Sequence, residues 1–315
     1  MAVSRTTKSG RRTSRGTARR HGIAPFVLVA PAVLGFLAIY VVPAGYSLWI
    51  SVHGDVVPDG QAYGQLERVF VGLDNYRRAL GDPQLLDSLK RLLVYGLITI
   101  PVTMVLALVF ALMLDVPGVR LRASLRTAIF MPYAVPGVIA ALMWGFLYMP
   151  ELSPANRLAE LVGVDDLNLL GAQEIFGALG NVAIWGNVGF NMIVIYTGLR
   201  AIPAEIYDAA RVDGCNELRL ALSVKIPLLA PAIVLTGLFS LIGTLQTYSE
   251  PITMQKISQS ISSSFFPLMK VYNDAFFDND LGIAAATSLI LAGATLVLSL
   301  LLLAPLSRRA TDVDR

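Results

Sequence analysis

The chain has 315 residues, 55% of them hydrophobic and only 15% charged, with a formal net charge of +3 and a mean hydropathy of +0.63. Soluble domains carry about 25% charged residues, so a water-soluble globule is excluded and a bundle of membrane spans is expected. A single cysteine, Cys215, allows no intrachain disulfide, and with only two histidines, His21 and His53, a zinc or di-iron centre lacks its usual ligands.

Residues 1–22 hold Arg5, Lys8, Arg11, Arg12, Arg15, Arg19 and Arg20 and no acid. This Ser/Thr/Gly-rich head reads as disordered. The apolar block that follows, about 23–52, is far longer than a signal-peptide core of roughly 7–15 residues, so it reads as an uncleaved first span. Five more apolar blocks lie near 89–114, 123–149, 175–199, 228–249 and 282–305. Each supplies the ~20 residues that a hydrocarbon core requires. The third carries Pro132 and Pro136, which predicts a kink. The expected fold is an all-α membrane protein of about six transmembrane helices, as one domain over 23–305 with a short tail at 306–315.

Charge sets the orientation. With the head inside, segments 1–22, 115–122, 200–227 and 306–315 plus Arg126 hold 17 of 25 basic residues and 7 of 22 acids. The opposite segments, 53–88, 150–174 and 250–281, hold 6 basic residues and 15 acids. Both termini are therefore expected in the cytosol. Arg120, Arg122 and Arg126 read as topology anchors with secondary contact to lipid phosphate. The basic excess is explained by topology, so no nucleic-acid partner is expected.

Polar residues inside spans are candidates for a solute pathway. Asn187 and Asn191 share a face of the fourth span, and Thr244, Gln246, Thr247 and Tyr248 cluster late in the fifth, beside Glu250. Amides beside aromatic rings suit hydroxyl-rich solutes; the same residue types also serve interhelical hydrogen bonding. Trp144, Tyr148 and Trp185 read as interface-belt or packing aromatics. No histidine, cysteine or acidic pair stands within the expected spans, which argues against an intramembrane enzyme. The lack of an ionisable group or inverted repeat there argues against a secondary transporter.

The segment from Arg200 to Pro227 is unlike a simple connection. Pro203 suits a first helical turn, Ala204 to Val212 favours helix, and Gly214 can take the left-handed backbone that ends one. Residues 216–225 form a second short amphipathic helix, with Leu218, Leu222 and Ile226 on one face, before Pro227 opens the next span.

Asp208-Ala209-Ala210, three residues, Gly214, nine residues, then Val224-Lys225-Ile226-Pro227 resembles the EAA loop of ABC-importer permeases. Asp208 stands for the family's Glu, and Val224 and Ile226 for its Ile and Leu. Phe70 to Tyr76 is similar to an element in the first outer loop of carbohydrate permeases. Tyr272 to Phe276, with Gly282 and Ala284 to Ala286, is similar to their entry into the last span. Met254 to Ser258 departs from the Gly-Gly-Gly-Pro turn that many relatives carry.

The resemblance implies a type I ABC-importer permease fold in the bacterial cytoplasmic (inner) membrane. It implies a transport subunit, with no catalytic residue or cofactor of its own. Its partners would be a second permease subunit, two copies of a cytosolic ABC ATPase carrying ATP and magnesium, and an extracytoplasmic solute-binding protein. A sugar or oligosaccharide would be the cargo, with other solutes or secondary transport as the alternatives. Asp208, Ala209, Ala210, Gly214 and Pro227 would couple to the ATPase, and no phosphate-binding Gly-x-x-x-x-Gly-Lys loop occurs in the chain itself. Asn187, Asn191, Gln246 and Tyr248 would face the substrate.

Overall fold

The computed structural model describes residues 24–56, 67–161, 163 and 168–313. The basic head 1–22 therefore lies outside the described residues. The described chain is helical except for one short antiparallel hairpin of β1 (His53–Val56) and β2 (Glu67–Phe70), with His53 opposite Phe70 and Val56 opposite Glu67.

Two compact units emerge, Met1–Tyr46 and Ser47–Arg315. The first consists of α1 (Ala24–Phe36), a π-helical stretch Leu37–Val41, and the start of α2 (Val42–Ser51). Together these form an apolar helix, Phe26–Ser51, none of whose most apolar stretch is buried within the chain.

The second unit is organised on two long helices, α4 (Pro83–Asp115) and α8 (Ile175–Ala201). Half of the most apolar stretch of α8 is buried within the chain, which makes it the hub. Two apolar clusters hold α4 against α8. One gathers Leu92 and Tyr95 with Ile175, Ala178, Leu179 and Val182; the other gathers Ala107, Ala111 and Leu114 with Met192, Ile195 and Leu199. Small residues at such contacts let helices approach, because packing rather than water expulsion drives association in lipid. A close approach of another helix is at Gly189 of α8, where an added Cβ would overlap the Ile129 carbonyl and the Phe130 Cα.

Ile129 and Phe130 end α5 (Arg122–Phe130), the first half of the third apolar block. A 3₁₀ turn, Met131–Ala134, follows, and α6 (Gly137–Leu147) then leaves at 96° to the segment before it. The expected kink is thus a complete break. Proline disfavours helical backbone in the residue before it, and Val135 accordingly sits at φ −79°, ψ 124° ahead of Pro136. Among the described residues, five helices are long and apolar enough to cross a bilayer, and the bent pair makes six if it is one span. After α7 (Pro154–Leu161) and α8 come α9 (Ala204–Val212), α10 (Glu217–Leu220), a π-helical stretch Ala221–Lys225 and α11 (Ile226–Leu228). The fifth span runs as α12 (Ala230–Leu245), stops at Gln246, and resumes as α13 (Ser249–Met254). The chain ends on α14 (Pro267–Phe276) and α15 (Leu281–Val313), whose helix runs past the expected boundary at 305.

At the hairpin end, the segments 70–76 and 272–286 interlock around Asn75. Its buried amide Nδ2 donates to the carbonyls of Ser51 (3.0 Å) and His53 (2.8 Å). Gly282 is needed there, since a Cβ would lie 2.7 Å from that nitrogen. Arg78 of α3 (Asp74–Gly81) reaches Asp280 at 3.1 Å. Beside them, Lys270 Nζ is held between Asp82 (2.8 Å) and Asp274 (2.6 Å). Burial would lower its pKa, but the two carboxylates outweigh burial and carry it above the ordinary lysine value.

Gly189→Ala should overpack the α5–α8 crossing and reduce stability by about 1–3 kcal/mol. Gly177→Ala on the same helix has nothing within 4 Å and should be neutral or slightly stabilising, since Ala exceeds Gly in helix propensity by about 1 kcal/mol. Thermal unfolding of the purified protein in detergent distinguishes them, and equal melting of the two variants would contradict the crossing.

Candidate functional site

Two features could carry function: the knob over residues 200–227 and a cavity in the helix bundle. The knob is built as its residues dictate. Pro203 caps α9, whose last turn closes in a Schellman motif. There the Cys215 N–H donates to the Ala210 carbonyl and the Gly214 N–H to the Arg211 carbonyl, both at 3.0 Å. Gly214 takes φ +82°, a conformation that Gly adopts without Cβ strain. Asn216 then caps α10, accepting a bond from the Arg219 N–H at 2.8 Å. Arg211 links the two short helices, bonding Glu217 at 3.1 Å and Asp208 more loosely at 3.4 Å. Asp208 itself stays 73% exposed, so its carboxylate is open to a partner.

The second helix of the knob, expected over 216–225, runs as α10 to Leu220 and continues as a π-helical stretch. Leu218 and Leu222 lie on the outside, as do Ile206 and Val212, while Leu220 and Lys225 are the buried residues. The π-helical stretch at Ala221–Lys225 shifts the helical phase that a regular 3.6-residue repeat would give. Pro227 is exposed in the first turn of α11. The knob therefore shows four large apolar side chains to its surroundings.

Lys225 anchors the knob. Its Nζ reaches Asp115, the last residue of α4, at 2.6 Å, with both side chains about 5–6% exposed. The ammonium also sits 5.0 Å from the centre of the Tyr207 ring. Tyr207 in turn donates to the Leu199 carbonyl at the end of α8, at 3.1 Å. Burial, and secondarily the charge of Asp115, pushes the Tyr207 hydroxyl pKa up and keeps it protonated. Asp115, Tyr207 and Lys225 thus tie both short helices to both hub helices. In the sequence they stood only as loop charges and an unremarked tyrosine; the one signal was a lysine within an otherwise apolar Val-x-Ile-Pro run.

The cavity has a volume of about 640 Å³ and is lined along α4 by Tyr95, Thr99, Ile100 and Thr103 and along α8 from Val182 to Asn191. Both helix breaks open onto it: Pro132, Tyr133, Val135 and Gly137 from one, Thr244, Gln246, Thr247 and Ser249 from the other. Backbone groups freed in a membrane must meet protein or a water-filled space; at these breaks the Val135, Gln246 and Thr247 N–H groups donate to nearby carbonyls of the chain. Asn187 and Asn191 line it, each donating through its amide nitrogen to its own helix, at the Ala183 (2.8 Å) and Asn187 (3.0 Å) carbonyls. The Asn191 oxygen accepts from Ser240 at 3.3 Å. Tyr133 stacks on Phe190 with centroids 4.9 Å apart, and Phe239 meets Phe190 edge-on at 6.0 Å, so aromatic faces adjoin the amides.

Tyr248 is not among the lining residues. It packs on Tyr272 of α14 at 5.5 Å, away from Gln246, because the chain leaves the helical path between them. Trp144, Tyr148 and Trp185 form an aromatic cluster inside the bundle and are packing residues. Glu250 does line the cavity and belongs to the apolar stretch Ala230–Met254. The expectation of no ionisable group within a span is therefore corrected. The residue lay at the edge of the fifth apolar block, whose helical extension through α13 was not foreseen.

Removing one partner of the Lys225–Asp115 pair should leave a buried charge uncompensated and destabilise the protein by about 3–5 kcal/mol. Asp115→Leu combined with Lys225→Met should recover most of that loss, since a well-packed apolar pair can replace a buried ion pair. Melting temperatures of the single and double variants measure this, and a double variant no better than the singles would contradict it.

The comparisons with known proteins agree with this architecture. The family described as "Binding-protein-dependent transport system inner membrane component" matches residues 103–311. The chain is 30% identical over 273 residues to the sn-glycerol-3-phosphate transport system permease protein UgpA of Agrobacterium fabrum, covering 85% of this chain and 89% of that one. It is 28% identical to the trehalose/maltose transport system permease protein MalF of Thermococcus litoralis, over 71% of this chain and 74% of that one. The crystal structure of a bacterial alginate ABC transporter with an alginate pentasaccharide-bound periplasmic protein contains a chain of the same fold. Its TM-score is 0.74 at 20% identity, over 91% of this chain and 95% of that one. A helical chain with interrupted spans and a matching family segment from α4 to α15 is thus a transport subunit, and it belongs to the inner-membrane permease components of binding-protein-dependent transport systems.

Proposed function

We propose that this permease passes a carbohydrate or similarly hydroxyl-rich solute through the cavity between α4, α8 and α12, driven by an ATPase that docks on the knob. The observation that carries the coupling half is the knob itself. A pair of short helices closed by a Schellman turn and an Asn216 cap exposes Ile206, Val212, Leu218 and Leu222, with the Asp208 carboxylate 73% exposed on the same knob. An exposed apolar patch with a charged rim is the surface of a protein partner. ATP and magnesium would be bound by that partner, in two copies. Asp208, Ala209, Ala210, Gly214 and Pro227 form or shape the contact.

Relatives named for trehalose/maltose, arabinooligosaccharides and sn-glycerol-3-phosphate support a polyol or sugar cargo. Asn187, Asn191 and Gln246 provide amide groups in the cavity beside the Tyr133–Phe190–Phe239 rings, and aromatic faces accept sugar C–H groups. Tyr248 would then act at the rim by packing on Tyr272 rather than from the wall. A second permease subunit would cover the fifth span, since only 6% of the most apolar stretch of Ala230–Met254 is buried within the chain. A solute-binding protein would deliver the cargo from the hairpin end.

The charge distribution of the sequence supports cytosolic termini and a cytosolic knob. Cys215 should then react with membrane-impermeant thiol reagents in inverted vesicles and stay unlabelled in sealed cells. Labelling in sealed cells would reverse the orientation.

Gly214→Pro should break the turn, because the proline ring fixes φ near −65° where the knob has +82°. Asp208→Lys should place a cation where an acceptor stands. Both variants should insert normally yet lose the ATPase from the purified complex, or hydrolyse ATP without solute uptake. Normal uptake by both would refute the coupling role.

A further inference from the structure

Among the residues lining the cavity, Glu250 is the only one with a formally charged side chain. The rest of the wall is apolar, aromatic, hydroxyl or amide, with no lysine or arginine to offset the carboxylate. Glu250 has no ion-pair partner within 4 Å among the described residues. Toward the hairpin end, Arg91 donates to the Ser264 and Phe265 carbonyls, and Lys270 is held by two aspartates. The carboxylate is pressed against the start of α6, where a Cβ on Gly137 would lie 2.5 Å from its Oε1. Glycine at 137 is therefore what leaves room for it at the cavity wall.

An unbalanced charge in a space walled by protein and lipid is weakly screened and acts on everything that enters. We propose that Glu250 is the charge filter of the pathway: it disfavours anionic solutes and leaves the cavity open to uncharged polyhydroxy solutes, for which it also supplies a hydrogen-bond acceptor. This rests on the reading of the cavity as the solute pathway. It narrows the cargo within the solute classes named for the relatives, which include a phosphate ester as well as sugars and oligosaccharides.

The test reads the potential directly and needs no knowledge of the cargo. Cys215, the only native cysteine, is replaced by Ser, and Thr244→Cys places a thiol in the cavity wall. The complete complex is then treated at low salt with two methanethiosulfonates of similar size, one carrying a sulfonate and one a trimethylammonium group; each thiolate forms a mixed disulfide and releases methanesulfinate. A unit charge about 10 Å away across an effective dielectric near 40 changes each rate about fourfold in opposite directions. The cation-to-anion rate ratio should therefore exceed that of 2-mercaptoethanol by about 15-fold, and Glu250→Gln should remove most of this excess while Glu250→Asp keeps it. A ratio less than about fivefold above the free thiol, or one unmoved by Glu250→Gln, overturns the proposal. The comparison with free thiol stands even if Glu250→Gln fails to assemble. Mass spectrometry of the solute retained by the importer's binding protein gives the second arm, and a solute of net negative charge overturns the substrate class. A flat ratio with knob-dependent uptake removes only the filter. Uptake that survives both knob variants removes the coupling reading, whatever the ratio.

Discussion

Hydrocarbon offers no hydrogen bonds, so a spanning helix that stops must stop where protein or water can receive its freed backbone groups. That constraint organises the centre of this permease. The third span breaks at Met131–Pro136 and the fifth at Gln246–Tyr248, and residues of both breaks line one cavity. The two apolar clusters hold α4 against α8, while Thr99, Thr103, Asn187 and Asn191 of the same helices line the cavity. A polar space in the bundle is thus a requirement of the broken helices as much as of a passing solute.

Under the proposed coupling role, motion would reach that space from the knob. Arg211–Glu217 and the Gly214 turn join α9 to α10, and the Lys225–Asp115 bond joins that pair to the end of α4. The ion pair is buried, and a buried pair contributes more to a fixed geometry than to net stability. Its place at the end of α4, with Tyr207 bonded to the end of α8, means that a force on the knob meets the two hub helices together. Rigid-body change between two states requires this kind of attachment, since packed helices move as units.

Much of this was legible from residues. Six apolar blocks and the Pro203–Val212–Gly214 sequence placed the spans and the knob, because hydropathy, proline and positive-φ glycine act locally. The α9 boundaries and the Gly214 conformation follow those rules without help from tertiary structure. What escaped was set by distant neighbours. The size of the break, 96°, was not legible from Pro132 and Pro136, which signal a kink without setting its angle. Asp115 and Lys225 are 110 residues apart, so neither could announce the other. Asn75 and Gly282 belonged to recognisable segments, yet only the fold shows that the glycine makes room for the amide. The exposed faces of Leu218 and Leu222 could not be read from periodicity, which finds an apolar side without saying what covers it.

The cavity amides argue for weak and transient contact with whatever passes. Asn187 and Asn191 spend their N–H groups on carbonyls of their own helix, and the Asn191 oxygen is engaged by Ser240. A solute therefore meets half-satisfied groups, and each exchange of one hydrogen bond for another yields only about 0.5–1.5 kcal/mol. A pathway must release what it admits, so a wall of this kind suits passage better than storage. Under the proposed pathway, tight selection would belong to a protein that meets the solute first, and the permease would retain only coarse discrimination by size, hydroxyl content and charge. Of these, charge acts at the longest range, so one carboxylate can influence the whole cavity where each amide acts only on the group it touches.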